Sequence, residues 1–137
     1  MNLTNRPYSN AAGDFERVSG FFIDQHIFLR SHSTWCLVRF VDWKCAIYDS
    51  KLAVPDFWGQ NGRLWIDGFG ELAGAAISED GGSDVVILTK PGYRFLYAEI
   101  LAWVLHHWGG RGTELRIEVT ARQDVEMDAL KRAGFKR

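Results

Sequence analysis

Few residues in this sequence are placed to do chemistry. Lys90 and Arg94 stand at the head of an apolar-periodic segment, where they add positive charge to the positive end of a helix, a setting that suits an anion. Solvated surface charge is the alternative reading for both. His106 and His107 end the same segment and read as a surface pair, since no third ligand lies at metal-binding spacing. His26 and His32 are isolated. Cys36 and Cys45 lie nine residues apart in apolar stretches, with no histidine at zinc-finger spacing, and read as free thiols of a reducing compartment. The sequence contains no Gly-x-Ser-x-Gly elbow, no Walker loop and no zinc-type cysteine spacing.

Composition bounds what can position these residues. The chain has 137 residues, of which 47% are hydrophobic. A chain of this size buries roughly two-thirds of its unfolded surface, so one domain with its own core is expected, without disulfide or metal. Sixteen basic against seventeen acidic residues give a net charge of -1, which argues against a nucleic-acid-binding role built on phosphate neutralisation. No apolar run approaches the roughly eighteen residues of a membrane span, and the N-terminus has no apolar signal-peptide centre. The expectation is a soluble, cytoplasmic protein with no membrane partner. Six Trp, nine Phe and four Tyr exceed what such a core requires, so some are expected to line a groove or an interface.

The elements follow from periodicity. Leu3 to Tyr8, carrying Arg6-Pro7, reads as a brief edge strand. Ser9, Asn10 and Asp14 supply helix-start chemistry for an amphipathic helix from Ala12 to about His26. Trp35 to Tyr48 is apolar almost throughout; Leu37, Phe40, Val41 and Ile47 favour a helix over strands, with Pro55 closing it and Gly59 to Gly62 forming a turn. Arg63 to Ile66, Glu71 to Ile77 and Asp84 to Thr89 are short β-rich runs joined by turn residues, an antiparallel meander. Gly74, Ala75 and Ala76 make the middle run slim, so a helix or a ligand must pack close. Tyr97, Ile100, Leu101, Val104 and Trp108 give Tyr93 to Trp108 an apolar helical stripe that Gly109-Gly110 ends. Glu114 to Val119 alternates as a strand, parallel to the preceding one because a helix connects them. Gln123 to Ala133 is a last helix, closed by Gly134. The fold class is α+β: a mostly antiparallel sheet with one parallel βαβ pair, flanked by helices.

This order resembles the GNAT superfamily of acyl-CoA N-acetyltransferases. Arg6-Pro-Tyr-Ser-Asn-Ala-Ala-Gly-Asp14, Leu64-Trp-Ile-Asp-Gly68 with Glu71-Leu-Ala-Gly-Ala75, Lys90-Pro-Gly-Tyr-Arg94 and Leu130-Lys-Arg-Ala-Gly-Phe135 are similar to that family's phrases, in the same order. The resemblance implies acetyl transfer from acetyl-CoA to a small-molecule or protein amine by direct attack on the thioester. It places the coenzyme along Leu88, Thr89, Lys90, Tyr93, Arg94, Phe95 and Leu96, with Glu118 or Glu71 as candidate base and no metal. The Trp35, Trp43 and Trp58 region would border the acceptor groove; core packing is the other reading of these rings.

The sequence also departs from the family. Phe95, Tyr97 and Glu99 stand at the three glycine positions of the coenzyme loop, Leu130 where a thiolate-protonating tyrosine is usual, and Gln123 where an asparagine is usual. Bulky side chains hinder close approach of phosphates, and a carboxylate repels them. A catalytically degenerate GNAT-like module, acting by packing, ligand binding or oligomerisation, is therefore the alternative to an enzyme. The family's fold continues past Gly-Phe with two more strands. An unpaired edge at Glu114 to Val119 would need cover, from a homodimer partner, a second GNAT-like module or the N-terminal strand.

Overall fold

The computed structural model describes residues 3–46, 49–112 and 114–137. Met1, Asn2 and Thr113 lie outside the described residues, as do Ile47 and Tyr48 at the end of the expected second helix. The strands are β1 (Thr4–Pro7), β2 (Gly62–Ile66), β3 (Leu72–Ser78), β4 (Asp84–Thr89) and β5 (Arg116–Ile117). They form one mixed sheet in the order β1-β2-β3-β4-β5, antiparallel from β1 to β4 and parallel between β4 and β5.

Helices cover both faces. On one lie α1 (Asp14–Asp24), α2 (His26–His32), α3 (Leu37–Cys45), α4 (Asp49–Leu52) and α5 (Phe57–Asn61), packing Val18, Phe22, Phe40 and Trp43 against Leu64, Ala75, Ile77 and Leu88. On the other, a 3-10 helix over Pro91–Leu96 runs into α6 (Tyr97–Trp108), with α7 (Asp124–Arg132) beside it; Ile100, Leu101, Val104 and Leu130 meet Trp65, Ala73, Ala76 and Ile87. The strand alternation sends successive side chains to opposite cores, so the sheet divides the apolar interior in two.

The slim middle strand is explained by a helix. A Cβ at Gly74 would stand 2.7 Å from the Ile100 Cδ1 atom and 3.0 Å from the Leu88 carbonyl oxygen, so the missing side chain lets α6 lie close to β3. The stripe that defined α6 is buried as expected, from Tyr97 through Trp108.

Several boundaries differ from expectation. The first helix stops at Asp24, where the Gln25 amide closes on the Phe21 carbonyl, and a separate α2 follows. Ser9 and Asn10 do not cap it by side chain; Gly13 precedes it in the left-handed region at φ 78°. α3 ends at Cys45, ahead of Pro55, and Gly59 to Asn61 are helical: the Asp56 carboxylate accepts the Gly59 amide and the Asn61 side chain donates to the Phe57 carbonyl. The stretch from Tyr93 to Leu96 is 3-10, following Pro91 at its head. β5 contracts to two residues of the expected six-residue run. Cys36 and Cys45 are free, but both are exposed despite their apolar neighbours in sequence.

Candidate functional site

The expected anion site is built from the end of β4, the 3-10 helix and the start of α6. Three of its amides are committed. Lys90 donates to the Ala73 carbonyl and Tyr93 to the Lys90 carbonyl, at 2.9 and 2.8 Å. Tyr97 donates to the Arg94 carbonyl, and Pro91 has no N–H to offer. Its charges are committed too. Lys90 Nζ lies 3.1 Å from the Glu71 carboxylate. Arg94 spans the gap to α7, reaching Glu126 at 2.8 Å and Asp124 at 3.0 Å. Glu126 is buried at 1% exposure, so the carboxylate holding Arg94 is screened little by water. Hydrogen bonding to Glu126, against some loss of hydration, raises the Arg94 pKa further above its ordinary value.

The remaining coenzyme candidates do not converge. Leu88 is buried in the core under α1 and α3, whereas Leu96 is buried on the opposite face against Gly74. Thr89 is buried in register with Gly74. Tyr93 is half-buried with its ring 5.8 Å from that of Phe95, and Phe95 is 61% exposed. Of the side chains at the missing glycines, Tyr97 turns inward. Burial, then the Glu126 charge, pushes its phenol up, and its hydroxyl has no hydrogen-bond partner among the described residues. The residues that the resemblance sets against a tyrosine and an asparagine are structural: Leu130 is core, and Gln123 accepts the Thr120 amide at 2.8 Å ahead of α7.

The two candidate carboxylates separate. Glu71 is the exposed partner of Lys90. Glu118 instead lines a cleft of about 280 Å³ between the α2–α3 connection and the β4–β5 pair, together with Trp35, Arg39, Glu79, Asp84 and Arg116. The cleft arises because β4 and β5 share only the pairs Asp84↔Arg116 and Val85↔Ile117. Beyond them Thr120 donates its hydroxyl to the Ser31 carbonyl, drawing the chain toward α2. Arg39 is held by Glu79 at 3.0 Å, by the Thr34 carbonyl at 3.0 Å, and over the Trp35 ring at 5.2 Å. Asp84, Arg116 and Glu118 make no ion pair among the described residues. Beside a Trp35 ring already covered by Arg39, the cleft therefore offers uncommitted charge of both signs, a setting for a small amine or zwitterion.

Trp35 is buried at 4% exposure and flanks the cleft; Trp43 is core, and Trp58 donates to the Trp43 carbonyl. Sequence reasoning missed Lys51, which is buried and caps the end of α3 by donating to the Trp43 and Ala46 carbonyls at 2.7 and 2.9 Å. It also missed Glu126, although a glutamate in the first turn of a helix is a visible signal. Among the described residues, no cluster of His, Cys, Asp or Glu could hold a metal ion, and no helix is long and apolar enough to cross a membrane. No family model, no curated protein and no solved structure matches the chain.

Proposed function

We propose that the chain is a GNAT-like module that binds rather than transfers, a fold relative of acyl-CoA N-acetyltransferases whose coenzyme position is closed. The sheet order, with antiparallel neighbours through β4 and a parallel β4–β5 pair across α6, supports the fold relationship. The observation that carries the loss of transfer is the engagement of Arg94 by Glu126 and Asp124, with Lys90 paired to Glu71. A pyrophosphate at this helix start would have to displace these carboxylates and meet a 3-10 helix several of whose amides already have partners. The cleft beside Trp35 and Glu118 is the binding surface in this reading, and its ligand class is a small amine-bearing molecule.

Calorimetric titration with acetyl-CoA and with coenzyme A tests the proposal. The expected result is no heat at millimolar coenzyme. Saturable binding in the micromolar range would overturn it and favour the transferase reading, with Glu118 as a candidate base lining the cleft.

A further inference from the structure

Among the described residues no strand pairs with the outer edge of β5, and the chemistry of that edge is self-complementary. The Arg116 amide donates inward to the Ser83 carbonyl at 2.9 Å. Backbone groups alternate in direction along a strand, so within β5 the amide and carbonyl of Ile117 point outward, away from β4. Beside this edge runs a groove of about 700 Å³ between 114–117 and 133–137, with Leu115, Ile117 and Phe135 in its lining. Leu115, Ile117, Val119 and Phe135 are only partly buried against the α6–α7 core. An edge carrying outward hydrogen-bonding groups and half-covered apolar side chains is a template for another strand.

We propose that this edge pairs antiparallel with the same edge of a second copy, in the register centred on Ile117. With the strand extended from Leu115 to Val119 in the paired state, Ile117 can meet its counterpart in several antiparallel registers, and charge selects among them. Centred on Arg116, the pairing sets Arg116 against itself and Glu114 against Glu118. Centred on Glu118, it sets Glu118 against itself. Only the Ile117-centred register places Arg116 opposite Glu118 of the second copy and Glu118 opposite its Arg116, while Leu115 meets Val119 on the other face. Cross-strand pairs of opposite charge stabilise a sheet, and like pairs directly opposite destabilise it. Arg116 already has Asp84 as its neighbour on β4, so the arrangement continues as an alternating row, Asp84, Arg116, then Glu118 of the second copy. Arg116 and Glu118 both line the cleft, so the second copy also contributes a carboxylate to its mouth. A C2 axis through Ile117 makes the contact isologous and closed.

This inference stands on the β5 edge and is independent of coenzyme binding, which has its own measurement. Sedimentation of the full chain tests it, with a dimer expected at tens of micromolar. Arg116→Glu and Glu118→Arg, each alone, oppose like charges across the axis and should weaken the dimer on the order of tenfold or more. Mixed together they are complementary and should form a heterodimer at near wild-type affinity. Ile117→Pro removes an outward amide but leaves the Arg116–Ser83 bond, so it should give a folded monomer. A wild-type chain that stays monomeric at these concentrations overturns the proposal. So does unchanged association in the charge-reversed variants, or their failure to associate on mixing. Should Ile117→Pro not fold, the mixing result decides.

Discussion

At the scale of single residues, the most consequential side chain outside the cleft is Asp14. It is fully buried at 0% exposure and accepts hydrogen bonds from Arg6 at 2.6 and 2.8 Å, from the Ser9 amide at 2.8 Å, and from Arg17. Burial alone would raise its pKa, but the bonds from Arg6, Ser9 and Arg17, with the charge of Arg6, prevail and hold it below the ordinary value. A carboxyl depressed in the folded state binds its proton more readily when unfolded. Its stabilisation is therefore complete above the unfolded pKa, about 3.9, and is lost as pH falls through the folded value. Asp14→Asn should cost about 2 kcal/mol at neutral pH, in keeping with charge-assisted hydrogen bonds, and the gap to wild type should close as pH falls below about 4. Urea unfolding across a pH series measures this, and a constant gap would refute it. The Arg6-Pro pair and Asp14 were both visible in the sequence. Their joining was not, because it depends on β1 and α1 meeting at an angle that neither periodicity specifies.

At the scale of elements, legibility followed the range of the interactions concerned. The meander and the stripe of α6 were readable because alternation and 3.6-residue spacing are local properties. The head of α6 was not: Pro91 favours helix entry, but the 3-10 turn ends with Arg94 drawn to two carboxylates about thirty residues downstream. Gly59 to Asn61 reads as a turn by composition and folds as a helix once Asp56 and Asn61 provide side-chain bonds. The slim β3 posed a choice between helix and ligand, and Ile100 decides it. Gly74→Val should force Ile100 and the Leu88 carbonyl apart, at about 1–3 kcal/mol for overpacking. Denaturant midpoints for this variant and for Ala75→Gly, on the opposite face, distinguish that close approach from general β-propensity; an unshifted midpoint for Gly74→Val would count against it. The cleft residues were the least legible part of the candidate site. Glu118 could be named as a candidate base from the sequence, but only the short β4–β5 pairing shows what it faces.

At the scale of the whole molecule, the sheet is joined unevenly. β2 and β3 share five register pairs and β3 and β4 share five, whereas β4 and β5 share two. Beyond that junction α7 is tied back chiefly by Arg94 and by the packing of Ala129 and Leu130. A seam this short divides the fold into units of unequal opening free energy. Native-state hydrogen exchange should show the Arg116 amide and those of α7 exchanging together through a sub-global opening, well before the amides of β3. Uniform protection across β3, β5 and α7 would show instead that the molecule opens only as a whole. If the units separate, the two-pair junction makes the C-terminal segment a semi-independent foldon, whose closed population rises with anything that binds along its edge.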